Sequence, residues 1–368
     1  MMKYVEEFRN KNLVQRLARK IQALSYGRQV NIMEVCGTHT HNFFRFGLDK
    51  MLPANIKLIS GPGCPVCVSS QDYIDQAIAY AKLKDSIIAT FGDMLRVPGS
   101  KSSLEKERAN GASILTVYSP LDALRLAQAH PAKKVIFLAV GFETTAPAIA
   151  LTVLAAQKEK LSNLFFFTSL KLIPAAMHYL LQDQRLKIDG FLCPGHVSCI
   201  IGTKPYVFIP KRYKIGCCVA GFEPADILAG IYLLIEQLVS KKPQVANQYQ
   251  RAVTKNGNTR AQKIIFKVFQ VYDAFWRGLG RIPKSGLVLK SNLGQFDIER
   301  ELPLEIKFPK AAAMARRCRC AEVLKGLIQP LACPLFRKVC SPEHPLGGCM
   351  VSEEGACHAY FKYRADAY

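Results

Sequence analysis

Eight short apolar runs, each closed by a glycine- or proline-bearing turn and followed by a helical stretch, govern what this chain can fold into. They read VNIMEVCGTHTH, IKLISGPGCPVCVSS, SIIATFGDMLRVPG, ASILTVYSP, KVIFLAVGFETTAP, LFFFTSLKLIP, IDGFLCPGHVSCIIG and IGCCVAGFEPADIL. Strands that alternate with helices pair in parallel, because a parallel pair needs a crossover connection. The cadence predicts an α/β protein. The first four runs look like the second four, which predicts two similar parallel-sheet α/β domains over residues 28–118 and 119–220, the second opening near Ser119. From Pro224 the pattern turns helical over Ile227 to Val239, Pro243 to Thr254 and Arg260 to Trp276, ahead of the punctuated segment RGLGRIPKSGLVLK. Residues 221–368 are expected as a mostly helical, cysteine-rich third domain. It also takes up an amphipathic helix within residues 1–27, where Val5, Phe8, Leu13, Leu17, Ile21 and Leu24 recur near helical spacing.

No run approaches the roughly 18 to 20 apolar residues of a membrane span, and the acidic start MMKYVEEFRNKN is no secretory signal. A cytoplasmic protein is expected, without a membrane partner. Lys and Arg outnumber Asp and Glu by 50 to 28, a net charge of +22 that raises nucleic acid as a partner. The basic residues are spread along the whole chain with no basic arm or helix, and no aromatics are interleaved among them, so nucleic acid is set aside. GxxxxGK[ST], GxGxxG and HExxH are all absent, which leaves nucleotide hydrolysis and zinc-protease chemistry without support.

The cysteines carry more. Thirteen are too few for a disulfide scaffold of this length, and six of them lie between Cys318 and Cys357. The tail reads Cys318-x-Cys320, Cys333, Cys340, Cys349, Cys357. Four thiolates suit a [4Fe–4S] cluster, and Cys333-Pro334 matches the Cys-Pro step seen at such ligands; a Cys₄ zinc site is the alternative. Six exceed four by two, which suggests a dithiol beside a cluster. Cys64 and Cys67 form Cys-Pro-Val-Cys after a Gly-Pro-Gly turn and before a helix expected near Ser69. A helix start lowers a thiol's pKa and this spacing permits a reversible disulfide; half a zinc site and simple packing are the other readings.

Cys36, with His39 and His41 behind it, sits at a strand end in MEVCGTHTH. Thiolate plus imidazole suits iron, copper or zinc, and equally a nucleophile with its base. Glu143 in GFETTAP and Glu223 in GFEPAD either cap helices or act at a site. His196 in CPGHVS is balanced between structure and catalysis, while Cys199, Cys217 and Cys218 read as small core residues.

Taken together, MEVCGTHTH, GPGCPVC, GDMLRVPG, GFETTAP, PGHVSCIIG, AGFEPADIL, WRGLGRIPKSGL and CMVSEEGAC resemble the HypD family of hydrogenase formation proteins, in consistent order from about Asn31 to Tyr360. The resemblance implies a monomeric scaffold that works with a small chaperone, HypC, to assemble the Fe(CN)₂CO unit of [NiFe] hydrogenases. Cyanide would come from HypE with HypF, and the hydrogenase large subunit would be the indirect recipient. By position, it implies Cys36 as the iron-binding thiolate with His39 beside it, and Cys64 and Cys67 as the redox pair. The tail is similar to ferredoxin:thioredoxin reductase, which implies Cys318, Cys333, Cys340 and Cys357 as [4Fe–4S] ligands and Cys320 and Cys349 as a second redox pair. Ala321, and Arg337-Lys338, stand where glycine-containing family patterns are expected, and should alter charge and turn geometry near the cluster. The competing class is a stand-alone iron–sulfur thiol–disulfide oxidoreductase, which has no need of a third thiol site at Cys36.

Overall fold

The computed structural model describes residue 3 and residues 5–25, 27–305 and 317–364. All eight runs form strands: β1 (Val30–Glu34), β2 (Ile56–Ser60), β3 (Ser86–Thr90), β4 (Ile114–Thr116), β5 (Lys134–Gly141), β6 (Leu164–Lys171), β7 (Gly190–Pro194) and β8 (Gly216–Ala220). Three more follow, β9 (Val245–Asn247), β10 (Phe269–Trp276) and β11 (Gly280–Leu289). The strands make two sheets, one of five strands in the order β2-β1-β7-β8-β9 and one of six in the order β10-β11-β6-β5-β3-β4. The first is parallel throughout, and the second is parallel except for β10 and β11.

The expected division at residues 118 and 119 does not follow these sheets. β1 and β2 pair with β7, and β3 and β4 pair with β5 and β6, so each four-strand stretch supplies two strands to each sheet. The apolar pattern of a run specifies a strand but not its neighbour. Strands buried on both faces, such as LFFFTSLK in β6, present the same apolar character to any parallel partner.

The third unit also departs from expectation. Pro243 to Thr254 supplies edge strand β9, the helix from residue 260 ends at Val268, and Phe269–Trp276 with Gly280–Leu289 forms an antiparallel hairpin on the second sheet. Short apolar runs do not tell strand from helix by periodicity alone. Pro283 and Lys284, the latter at φ 49°, occupy an irregularity in the hairpin register between the Tyr272 and Ala274 pairings, which is why the segment reads as a loop.

The N-terminal helix runs Lys11–Leu24, capped by the Asn10 side chain, which accepts from the Leu13 N–H, and it packs on the helix Pro224–Ser240 of the five-stranded sheet. Among the described residues no helix is long and apolar enough to cross a membrane. The cysteine-rich tail is irregular, with short helices Cys320–Leu324, Gly348–Val351 and Ala356–Tyr363.

Candidate functional site

Parallel sheets present the loops after their strands on one edge, where ligands are ordinarily held. Here β1 and β2 are hydrogen-bonded neighbours, so the Cys36 loop and the Cys64–Cys67 loop lie side by side. Gly37 N–H donates to Gly63 O at 2.9 Å and Gly61 N–H to Glu34 O at 2.8 Å. The approach requires glycine: a Cβ on Gly63 would lie 2.2 Å from the backbone nitrogen of Cys36.

Cys36 is buried at the start of the helix Gly37–Arg45. Two carboxyls that the sequence reading passed over surround it. Glu34 accepts from the Cys36 N–H at 2.8 Å and from the Thr40 hydroxyl, and burial pushes its pKa up to about 7. Glu354, from the tail, accepts from the Thr38 hydroxyl at 2.6 Å. Burial first, then Glu354 and Glu34, push the Cys36 thiol up to about 12, which favours the protonated thiol at neutral pH, and a bound cation would favour the thiolate. An acid inside the strand VNIME was the available sign of Glu34.

His39 is fully buried, and its Nε2 faces two carbonyls, Gly221 O at 2.9 Å and Ala220 O at 3.3 Å. Both are acceptors, so Nε2 carries the proton and Nδ1 is a lone pair. That Nδ1 is buried with no partner, and burial lowers the His39 pKa to about 4. A neutral imidazole with an unspent, desolvated lone pair suits metal ligation, while the lowered pKa makes it a poor proton acceptor at neutral pH. His41 instead ties the loop to the tail, with Nδ1 3.3 Å from Glu353 O and Nε2 3.2 Å from the Tyr363 hydroxyl.

Cys64 caps the four-residue helix Pro65–Val68, and its sulfur accepts from the Cys67 N–H at 3.2 Å. The helix therefore begins inside the motif, and the next, Gln71–Ala81, is capped by Ser70. Contrary to expectation, the Cys67 thiol is not made more acidic: burial pushes it well up, and four residues carry little helix dipole. The tail covers both loops. Helix Gly348–Val351 packs on Pro65–Val68, and helix Ala356–Tyr363 packs on Gly37–Arg45.

All six tail cysteines line one cavity with Val323, Phe336, Gly347 and Met350. Cys320 and Cys349 are the closest pair, Sγ to Sγ 2.8 Å. Cys349 also neighbours Cys67 and Cys357, so thiols run from Cys64 through Cys67, Cys349 and Cys320 to Cys318. Among the described residues no three His, Cys, Asp or Glu side chains close on one metal ion. A [4Fe–4S] cube makes a different demand, one thiolate on each of four irons. An apolar-walled cavity lined by thiols has the donor chemistry for it. Cys318 is raised chiefly by its hydrogen bond with Cys320, and Cys340 by burial to about 11.

The remaining candidates sort by contact. Glu223 caps Pro224–Ser240 in a capping box with Asp226 and is clamped by Arg9. Glu143 accepts from the N–H of Ile173, the first residue of helix Ile173–Leu180 on the neighbouring strand's loop. His196 is exposed and stacks on Phe222, ring centroids 3.9 Å apart. Cys217 and Cys218 are core residues, and Cys199 is half-buried. Arg337 takes the left-handed φ of 59° that favours glycine, and its guanidinium donates to Phe361 O at 2.8 Å at the end of helix Ala356–Tyr363. Arg277, unremarked in the sequence, bonds Val68 O and Ser69 O beside the Cys67 helix.

The model of the HypD family, described as "Hydrogenase formation hypA family", matches residues 12–364. A hydrogenase expression/formation protein HupD of Azotobacter chroococcum mcd 1 is 44% identical over 98% of this chain and 97% of its own. A hydrogenase maturation factor HypD of Escherichia coli (strain K12) is 44% identical over 99% of this chain and 98% of its own. A HypD of Cupriavidus necator is 42% identical over 98% and 97%.

Proposed function

The chain belongs to the HypD family of hydrogenase maturation factors, and from that premise we propose that it is the scaffold on which the Fe(CN)₂CO group of a [NiFe] hydrogenase is assembled. The iron is cargo. Cys36 offers it a thiolate, His39, three residues on, keeps a buried and unspent Nδ1 lone pair, and a HypC-type chaperone completes the holding surface. Cyanide arrives through HypE and HypF, the large subunit receives the finished group, and the work is done in the cytoplasm.

The observation that carries this reading is the contact at Gly63, which sets the Cys36 loop directly against the Cys64–Cys67 loop. Ligand attachment at a metal and a two-electron dithiol are thereby neighbours. Glu34 and Glu354 are the carboxyls beside Cys36 that would take up the proton it loses on binding a cation, and burial makes both more basic than an ordinary carboxylate. Cys318, Cys333, Cys340 and Cys357 would hold a [4Fe–4S] cluster, which supplies single electrons when bound. Cys349, on the wall of that cavity beside Cys320, is also the neighbour of Cys67. A free-standing disulfide reductase fits less well, because Cys64 and Cys67 are 3% and 0% exposed and present no sulfur to a bulky external disulfide.

The test is anaerobic co-purification with the small chaperone and infrared spectroscopy of the complex. Cys36→Ala should abolish the CN and CO bands and hydrogenase maturation, leaving the visible absorption of the tail unchanged. Bands of normal intensity in that variant would place the iron elsewhere.

A further inference from the structure

The thiol series from Cys64 to Cys320 is buried along its length, which raises the question of where reducing equivalents enter. Cys64, Cys67, Cys349 and Cys320 are each at most 8% exposed. Cys318 and Cys320, however, also line a second, open cavity of about 490 Å³ on the outer side of the tail. Gly347 keeps the passage clear, since a Cβ there would lie 2.9 Å from Cys318 Sγ and 3.3 Å from Cys320 Cβ. Cys349 is not among the residues lining this cavity, so of the Cys320–Cys349 pair it is Cys320 that borders it, beside the more exposed Cys318.

The charged lining is basic on balance, four cations against two carboxylates. Arg96, Lys101, Lys106 and Arg277 face Glu105 and Glu343. The two arginines are held by backbone carbonyls: Arg96 donates to Pro342 O at 3.2 Å and Val351 O at 3.3 Å, and Arg277 to Ser69 O at 2.7 Å and Pro98 O at 3.3 Å. Carbonyls orient a guanidinium without neutralising it, so both charges remain fixed at the wall. Among the described residues neither Lys101 nor Lys106 is paired with a carboxylate.

We propose that this cavity is the entry site for a small anionic thiol, which reduces the Cys320–Cys349 disulfide. The volume is that of a small-molecule pocket rather than a protein–protein face, which favours a low-molecular-mass ligand carrying carboxylate or sulfonate groups. The inference rests on Cys320 and Cys349 being a redox pair. The ligand thiolate attacks Cys320 Sγ, the Cys320–Cys349 bond breaks, and Cys349 leaves as a thiolate that takes up a proton. A second ligand thiolate attacks the ligand sulfur of the mixed disulfide, releasing the ligand's own disulfide and the Cys320 thiol. Two thiols thus deliver two electrons and two protons.

The test uses the mildly oxidised full-length protein, with the Cys320–Cys349 disulfide followed by differential alkylation and peptide mass spectrometry. The probes are 2-mercaptoethanesulfonate, 2-mercaptoethanol and 2-aminoethanethiol at equal thiolate concentration and low salt. The sulfonate should react about tenfold faster than the neutral thiol, the low end of electrostatic steering, and the amine slowest. Added salt should compress the order. Lys101→Glu with Lys106→Glu should erase the sulfonate's advantage while leaving the neutral thiol's rate unchanged. Equal rates for the three probes would overturn the proposal, as would reduction by an acidic redox protein but not by the sulfonate. If oxidation links neither Cys320 nor Cys349, the redox-pair reading falls and takes the proposal with it, a failure distinguishable from equal rates.

Discussion

Replacing Gly63 by alanine tests the contact on which the site is built. The new methyl would lie 2.2 Å from Cys36 N and 2.5 Å from Cys36 Cα and the Val35 carbonyl carbon, all backbone atoms that no side-chain rotation relieves. Ordinary carbon contacts begin near 3.5 Å, so the two loops must part by roughly 1 Å, which also stretches the Gly37 N–H bond to Gly63 O. Overpacking of this kind costs about 1–3 kcal/mol, and losing the buried hydrogen bond about 1 kcal/mol more. Urea denaturation of Gly63→Ala should therefore show a lower midpoint at unchanged slope, by about 2–4 kcal/mol. Alkylation of Cys36, 7% exposed in the intact protein, should accelerate. Gly92→Ala is the control: its nearest neighbour would be Thr116 Cγ2 at 3.6 Å, an ordinary contact, and its stability should be unchanged. Gly63→Ala protein with the parent's stability and the parent's Cys36 alkylation rate would refute the close approach of the two loops.

Arg251→Ala should cost about 3 kcal/mol, because Asp226 is fully buried and Arg251 grips both its oxygens; Lys133→Ala, which removes an exposed pair with Asp85, should cost almost nothing, and equal losses in urea unfolding would contradict this. Burial raises Glu143 to about 8 in the folded chain, against an ordinary 4.5, so the folded state keeps a proton that the unfolded state has released. Its contribution leaves stability intact below about pH 4.5 and erodes it as pH climbs toward 8; Glu143→Gln should flatten that decline in denaturation midpoints, and an unaltered slope would argue against a buried neutral carboxyl. Iron analysis after anaerobic purification should find the tail's iron lost in Cys333→Ala and Cys340→Ala and nearly intact in Cys320→Ala, because ligation energy is also folding energy. Iron lost from Cys320→Ala and retained in Cys333→Ala would redraw the ligand set.

Strand identity was legible and strand partnership was not. VNIME, IKLIS, KVIFLAVG and the other runs each show their conformation locally, but nothing in VNIME states that its second neighbour is GFLCP, 156 residues beyond its end. The β10–β11 hairpin escaped because Pro283 and Lys284 mark a register irregularity that resembles a loop when read alone. At the site, Cys36, Cys64 and Cys67 announce themselves by type and spacing, and their adjacency follows from neighbouring parallel strands. Glu354 and Arg277 could not be found that way, since they reach the site from segments more than 200 residues distant in sequence and owe their role to the tail and hairpin docking on the two loops.

The interleaving of the two sheets sets the order in which a ribosome can complete the protein. β1 lies between β2 and β7, and β7 is not synthesised until nearly 130 further residues have followed β2. Until then the nascent Cys36 loop has one flank of its sheet open, with neither the Ala220 and Gly221 carbonyls that fix His39 nor the Glu354 that shields Cys36. Contacts of such long sequence separation form late. The tail segment carrying Glu354 and helix Ala356–Tyr363 must emerge before the first loop is sealed. A chain interrupted ahead of Glu354 therefore exposes a thiol that the folded protein buries.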